Sequence, residues 1–309
     1  VDSGKVDEYA DWVNTLSFIE VSNADLDNDS YESAEKQYLQ NNAKQAISGF
    51  SNYVSKFPNG LHALKANFYL AQLYFADNLE ANSVKHYDFV VSKPRNEFTE
   101  QSLARLCQVH LKAKNYDSAI PVLKRLETEA EFPQNKTYAQ SNLMKSYYEK
   151  QDFTNAVVYA DKVLKNDKID DRIKSDAQII VARSAIKTND EAKAKEAYAK
   201  LQKIAKGELA AEALYYDAYF KNKEGKFEPS NVVVQKIAQD YSGYKYYGAK
   251  SLVIMAKNFY GLKDSFQATY ILESVIENFK ENTDVIEEAQ KELDFIKSEE
   301  AKRNSSITK

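Results

Sequence analysis

The sequence is short of the residues that interrupt regular structure. Its 309 residues include eight glycines and five prolines, which leaves room for long helices joined by short turns and little for a β-sandwich. A single cysteine, Cys107, excludes an internal disulfide and a thiolate zinc cage. No apolar run approaches the ~20 residues that a membrane-spanning helix needs, and no basic-then-apolar leader opens the chain. Net charge is also small. Forty-two Lys and Arg stand against 46 Asp and Glu, a balance of −4 that disfavours a general nucleic-acid binder.

Reactive chemistry is equally sparse. His62, His86 and His110 fall at different points of the pattern described below and form no HExxH. There is no Walker loop, GxSxG or GxGxxG. Acidic pairs such as Asp170-Asp171, Glu287-Glu288 and Glu299-Glu300 read as helix starts or solvated faces, not as acid and base. Cys107 takes the place of a small packed residue, where burial blunts a thiol. No enzymatic activity, cofactor or metal is expected.

What the sequence has in abundance is a period. A small or apolar residue followed four positions on by another, usually bulkier, marks the buried stripe of a helix. Such pairs occur at Ala46/Phe50, Ser83/Tyr87, Ala119/Leu123, Ala156/Ala160, Ala194/Tyr198, Ser230/Val234 and Ala268/Leu272, 36 to 38 residues apart. Twelve residues before each first member stand Ala34, Ala71, Cys107, Met144, Ala182, Ala218 and Ala256. Close crossing of two antiparallel helices requires compact side chains at the contact. Seven residues after each first member stand Tyr53, Val90, Leu126, Val163, Leu201, Ile237 and Val275, all apolar, facing the next unit. Polar turns such as Gln40-Asn41-Asn42, Lys114-Asn115 and Glu224-Gly225-Lys226 separate the two helices of a unit, and Phe57-Pro58, Pro94 and Phe132-Pro133 end units.

A small residue in the first helix, an alanine anchor in the second, apolar fillers and a proline at the junction resemble the tetratricopeptide repeat family. The units run longer than the family's ~34 residues and lack its first-helix tryptophan and glycine. The resemblance implies an all-α, right-handed α-solenoid of about seven helix pairs with a C-terminal capping helix. The expected layout is an N-terminal cap or upstream remnant over residues 1–27, then seven repeats over 28–283. Their bounds are about 28–59, 60–95, 96–134, 135–168, 169–206, 207–243 and 244–283. A capping helix over 284–303 follows, starting on the capping-box-like pair Asp284 and Glu287, with Val285, Ala289, Leu293 and Ile296 as its apolar stripe. A disordered tail is expected over 304–309. At the other end Tyr9, Trp12, Val13, Leu16 and Ile19 fall at near-helical spacing.

In this family the first helices line a concave groove that binds other proteins. Residues three before, one after and four after each small residue are therefore expected to face it. The candidates are Tyr31, Glu35, Tyr38, Phe68, Gln72, Phe75, Gln108, Leu111, Lys145, Tyr148, Arg183, Ile186, Tyr215, Tyr219, Lys257 and Tyr260. The row turns basic from Lys145 onward, which favours a protein partner with acidic segments. Chaperone-tail clamps of some relatives need Lys and Asn where this chain has Tyr31, Phe68, Ala104, Glu35, Gln72 and Gln108, so that role is not expected.

Repeats one and two, with Ala46-Ile47, Phe50, Tyr53, Phe57-Pro58, Phe68-Tyr69-Leu70-Ala71 and Tyr74-Phe75, resemble bacterial cell-envelope members of the family. The whole chain resembles the C-terminal repeat region of long Bacteroidetes-type members. A non-catalytic interaction scaffold, periplasmic or associated with the outer membrane, is the leading expectation, with the cytoplasm as the alternative. The chain opens on Val1, which reads as a processed form or a fragment and leaves upstream membrane attachment open. Two other functions compete. One is an oligomeric spacer using Tyr241, Tyr244, Tyr246 and Tyr247; the other is a helical-repeat RNA binder, with no nucleic acid as the preferred reading.

Overall fold

The computed structural model describes Glu8, Asp11, Trp12 and residues 23–307, so the N-terminal stub, Trp12 apart, lies outside the described residues. Among these residues there are fifteen α-helices and no strand. They are α1 (Asn23–Leu39), α2 (Ala43–Lys56), α3 (Ala63–Ala76), α4 (Glu80–Ser92), α5 (Thr99–Lys112), α6 (Tyr116–Glu129), α7 (Pro133–Glu149) and α8 (Phe153–Leu164). The series continues with α9 (Asp171–Lys187), α10 (Glu191–Leu201), α11 (Glu208–Lys223), α12 (Phe227–Asp240), α13 (Lys245–Gly261), α14 (Ser265–Asn278) and α15 (Thr283–Ile307). None is long and apolar enough to cross a membrane.

Each of the seven hairpins turns in the same three-residue device. The middle residue is left-handed: Asn41, Asn78, Lys114, Gln151, Asn189 and Lys263 have φ between 53° and 71°, and Gly225 has φ 71°. On either side the orphan carbonyls of the first helix are taken up by two backbone bonds. In the first hairpin Asn41 N–H donates to Tyr38 and Asn42 N–H to Gln37; in the last, Lys263 donates to Tyr260 and Asp264 to Phe259. This is the Schellman arrangement, and it recurs in the five turns between. The residue that closes it also starts the second helix. Asn115, Asp152, Asp190 and Asp264 each accept from the backbone N–H three residues on. The left-handed residue always stands five positions before the anchor, so turn and core share one register.

The expected core rows are buried throughout. All seven anchors are fully buried, and the small residues twelve positions earlier are at most 2% exposed. Phe50, Tyr87, Leu123, Ala160, Tyr198, Val234 and Leu272 are buried too, as is the apolar row from Tyr53 to Val275. The helices of the first hairpin approach closely: a Cβ on Gly49 would lie 2.8 Å from that of Ala34. The capping stripe Val285, Ala289, Leu293 and Ile296 is buried against Val253, Ala256, Leu272 and Val275.

The chain divides into two compact units, residues 1–146 and 147–309. In the first, α1 to α6 pack each against its sequence neighbours; in the second, α8 to α15 do the same, and α15 also meets α13. Such nearest-neighbour packing defines a helical solenoid. Two elements begin ahead of the expected bounds. Helix α1 starts at Asn23 and not near residue 28, because its polar first turns have partners further on. The Asp27 carboxylate accepts from the Tyr53 hydroxyl at 2.5 Å and the Leu61 N–H at 2.9 Å, and Asn28 pairs with His62 at 2.7 Å. Helix α15 starts at Thr283 and continues to Ile307, past residue 303. The Asp284 carboxylate accepts from the Tyr246 hydroxyl at 2.8 Å.

Candidate functional site

In the first unit three of the predicted groove positions cluster around a recess of about 370 Å³. It is lined by Tyr38, Gln72, Leu73, Phe75, Ala76, Tyr87 and Arg105. Tyr38 stacks on Tyr69 at 4.5 Å and donates its hydroxyl to the Gln72 carbonyl oxygen at 3.2 Å. The Arg105 guanidinium lies over the Phe75 ring, 4.6 Å from its centre, and gives one N–H to Gln108 at 2.9 Å. Tyr87 closes the floor from the second helix of repeat two. Its ring is fully buried, and its hydroxyl has no hydrogen-bond partner among the described residues. An unmet buried polar group costs about 1–3 kcal/mol. Burial pushes the Tyr87 phenol up to about 12 against the opposing pull of Arg105, so it remains a donor. Arg105 itself has no acidic partner among the described residues.

Three predicted positions are covered. Tyr31 is 2% exposed and stacks on His62 at 4.2 Å; Phe68 is 4% exposed and stacks on Phe98 at 4.2 Å. In the second unit Tyr215 is 6% exposed among Tyr216, Tyr219 and Tyr247. The position three before the small residue thus fills space, and in Tyr31 and Phe68 it packs under the start of the following repeat. Glu35 accepts from Tyr31 at 2.6 Å and is paired with Lys65 at 2.8 Å. Gln108 and Lys145 are exposed, and Leu111 is half-buried.

In the second unit the expected basic row is already neutralised. Arg183 donates Nε and Nη2 to the two oxygens of Glu212, at 2.9 and 2.6 Å. Lys257 lies 2.7 Å from Glu288 and 3.8 Å from Glu292. The free cationic charge inferred at Arg183 and Lys257 is therefore not there, because acids of later helices meet it. Glu212 was missed in the sequence although it interrupts the run Ala210, Ala211, Ala213. It is 2% exposed and also accepts from Tyr198 at 2.9 Å and Tyr247 at 2.7 Å. Burial raises its carboxyl, but the bonds and charge of Arg183, with those of Tyr247 and Tyr198, outweigh burial and hold it below the ordinary value. Tyr148, Ile186, Tyr219 and Tyr260 are half-buried, Tyr148 edge-on to Phe153 and Tyr260 edge-on to Phe295. The Tyr246 and Tyr247 hydroxyls are both committed within the chain, which weakens a tyrosine-mediated spacer.

The C-terminal part of a tetratricopeptide repeat-containing protein from Cytophaga hutchinsonii superposes with a TM-score of 0.52 at 13% identity, over 84% of this chain and 98% of that one. The fold is that of a tetratricopeptide repeat protein. Two further tetratricopeptide-type structures align less well. A tetratricopeptide repeat protein from Parabacteroides merdae gives a TM-score of 0.41 at 12% identity over 85% of this chain and 98% of its own. PilF of Pseudomonas aeruginosa gives 0.42 at 15% identity over 74% and 100%. No protein-family profile matches the sequence, and no curated protein does. Within the tetratricopeptide fold, Cys107 is a packing residue: it is fully buried, and burial pushes its thiol up to about 12.

Proposed function

We propose that this tetratricopeptide chain is a non-catalytic protein-interaction scaffold that takes an extended or helical segment of a partner against its first helices. Fold by itself assigns no partner. The observation that carries the reading is the recess at Tyr38, Gln72, Phe75, Tyr87 and Arg105. It joins aromatic walls to a buried hydroxyl without a partner and a guanidinium without an acidic partner among the described residues. Hot spots of peptide recognition combine the same ingredients, aromatic area and Arg around a desolvated seat. Arg183 and Lys257 are already paired with Glu212 and Glu288, which favours a contact in the first unit over one that rests on those two cations. The resemblance of repeats one and two to cell-envelope proteins supports a place in the bacterial envelope.

Affinity capture from envelope and cytosolic fractions tests this reading, comparing the unaltered chain with a Phe75→Ala, Arg105→Glu variant. Partners held from the envelope fraction and lost by the variant are expected. The same partners on both proteins would refute the recess as the binding site.

A further inference from the structure

A second recess, of about 520 Å³, lies in the second unit where the ends of α8 and α10 meet the start of α9. Lys165, Lys174, Lys200 and Lys203 surround it, with Asp161 as its one acid. Lys200 shares Glu196 at 2.7 Å, whereas the side-chain ammonium groups of Lys165, Lys174 and Lys203 have no hydrogen-bond or ion-pair partner among the described residues. Several other cations of these repeats are matched, as in Lys195 with Glu224, Lys223 with Glu191 and Arg183 with Glu212. Stability accounts for part of the cluster only. Lys165, Lys200 and Lys203 sit at helix C-terminal ends, where the macrodipole favours a cation, but Lys174 is the fourth residue of α9, at the end that disfavours one. Leu164 and Ile204, both half-buried, give the recess an apolar floor.

We propose that this recess is a second docking site, taking an acidic segment of a partner protein that carries at least two carboxylates beside an apolar side chain. Lys165, Lys174 and Lys203 would gain the counter-charge that no described residue supplies, and Leu164 with Ile204 would receive the apolar side chain. No aromatic ring lines the recess, so it lacks the stacking platform on which single-stranded nucleic acid is held. The site is separate from the first-unit recess and stands or falls independently of it.

The test is fluorescence anisotropy with a fluorescein-labelled peptide of repeating Glu-Leu-Glu, its Gln-Leu-Gln counterpart and a labelled oligothymidylate of similar length. The acidic peptide is expected to bind at least tenfold more tightly than either control. Lys165→Gln, Lys174→Gln, Lys203→Gln together should weaken it at least tenfold and flatten its salt dependence. A charge-matched control, Lys245→Gln, Lys280→Gln, Lys291→Gln, should change it less than twofold. Far-UV circular dichroism checks that both triple variants remain folded. Equal losses in the two triple variants, equal binding of the neutral peptide, tighter binding of the oligonucleotide, or no binding at 50 mM salt would each overturn the proposal.

Discussion

Replacing Arg183 with methionine isolates what the buried Glu212 carboxylate contributes. The carboxylate is 2% exposed and receives four hydrogen bonds, two of them from Arg183. Arg183→Met keeps much of the side-chain bulk and removes those two bonds with their charge, leaving two phenols. Breaking a buried pair costs about 3–5 kcal/mol. The Arg183 side chain is 41% exposed, so water already screens the pair, and about 3 kcal/mol is the expected loss at neutral pH. Its pH dependence has a definite sign. In the native chain the Glu212 carboxyl lies below its ordinary value of 4.5. Its contribution is therefore full above that value and disappears as pH falls through the lower folded one. In Arg183→Met burial prevails and raises the carboxyl, so the folded variant binds a proton more tightly than the unfolded chain. The variant's penalty is greatest at neutral pH and relaxes as pH falls toward 4.5. Urea unfolding followed by circular dichroism at pH 7.5 and pH 5.0 should show the gap between the two proteins narrowing at the lower pH. A gap that stays constant or widens would refute the charge-based account. Adding Glu212→Gln to the variant should recover part of the loss at pH 7.5.

Lys263, at φ 71° in the last hairpin turn, should gain stability on Lys263→Gly, by about 0.5 kcal/mol, and Gly225→Ala should lose about 1 kcal/mol at the same φ; thermal midpoints measure both. Gly49→Ala places a methyl 2.8 Å from the Ala34 Cβ and should cost about 1–3 kcal/mol through overpacking, read by the urea midpoint. Cys107, with its thiol pushed up to about 12 by burial, should label with a disulfide reagent at pH 8 only as the first unit opens. Labelling in native buffer at the rate of free cysteine would contradict its placement.

The fold was legible because the sequence states it seven times. Ala46 alone says little, but Ala46, Ser83, Ala119, Ala156, Ala194, Ser230 and Ala268 share one period, and packing demands the same small volume at each. The site was only partly legible. Tyr38, Gln72 and Phe75 were placed by counting along the first helix, and they meet at the recess. Arg105 escaped because it stands two positions before its small residue, and the Tyr87 hydroxyl escaped because a filler tyrosine and a ligand-facing one look alike in sequence. Tyr31 and Phe68 were misplaced because the count treats a helix alone, whereas His62 and Phe98 arrive from the following repeat to cover them. Glu212 is the hardest case, since its partners are 29 residues before it, 14 before it and 35 after it. No local pattern reports such distances.

The seven identical turns also determine where the chain can change length. Three residues separate the helices of every hairpin, while the links between successive hairpins vary from three residues, at 130–132, to six, at 57–62. An extra residue inside a turn would rotate the whole second helix and present polar side chains to the core. Between hairpins the same insertion leaves the two helices of each hairpin in register. The links are thus the joints at which the chain can change length while every hairpin keeps its own register.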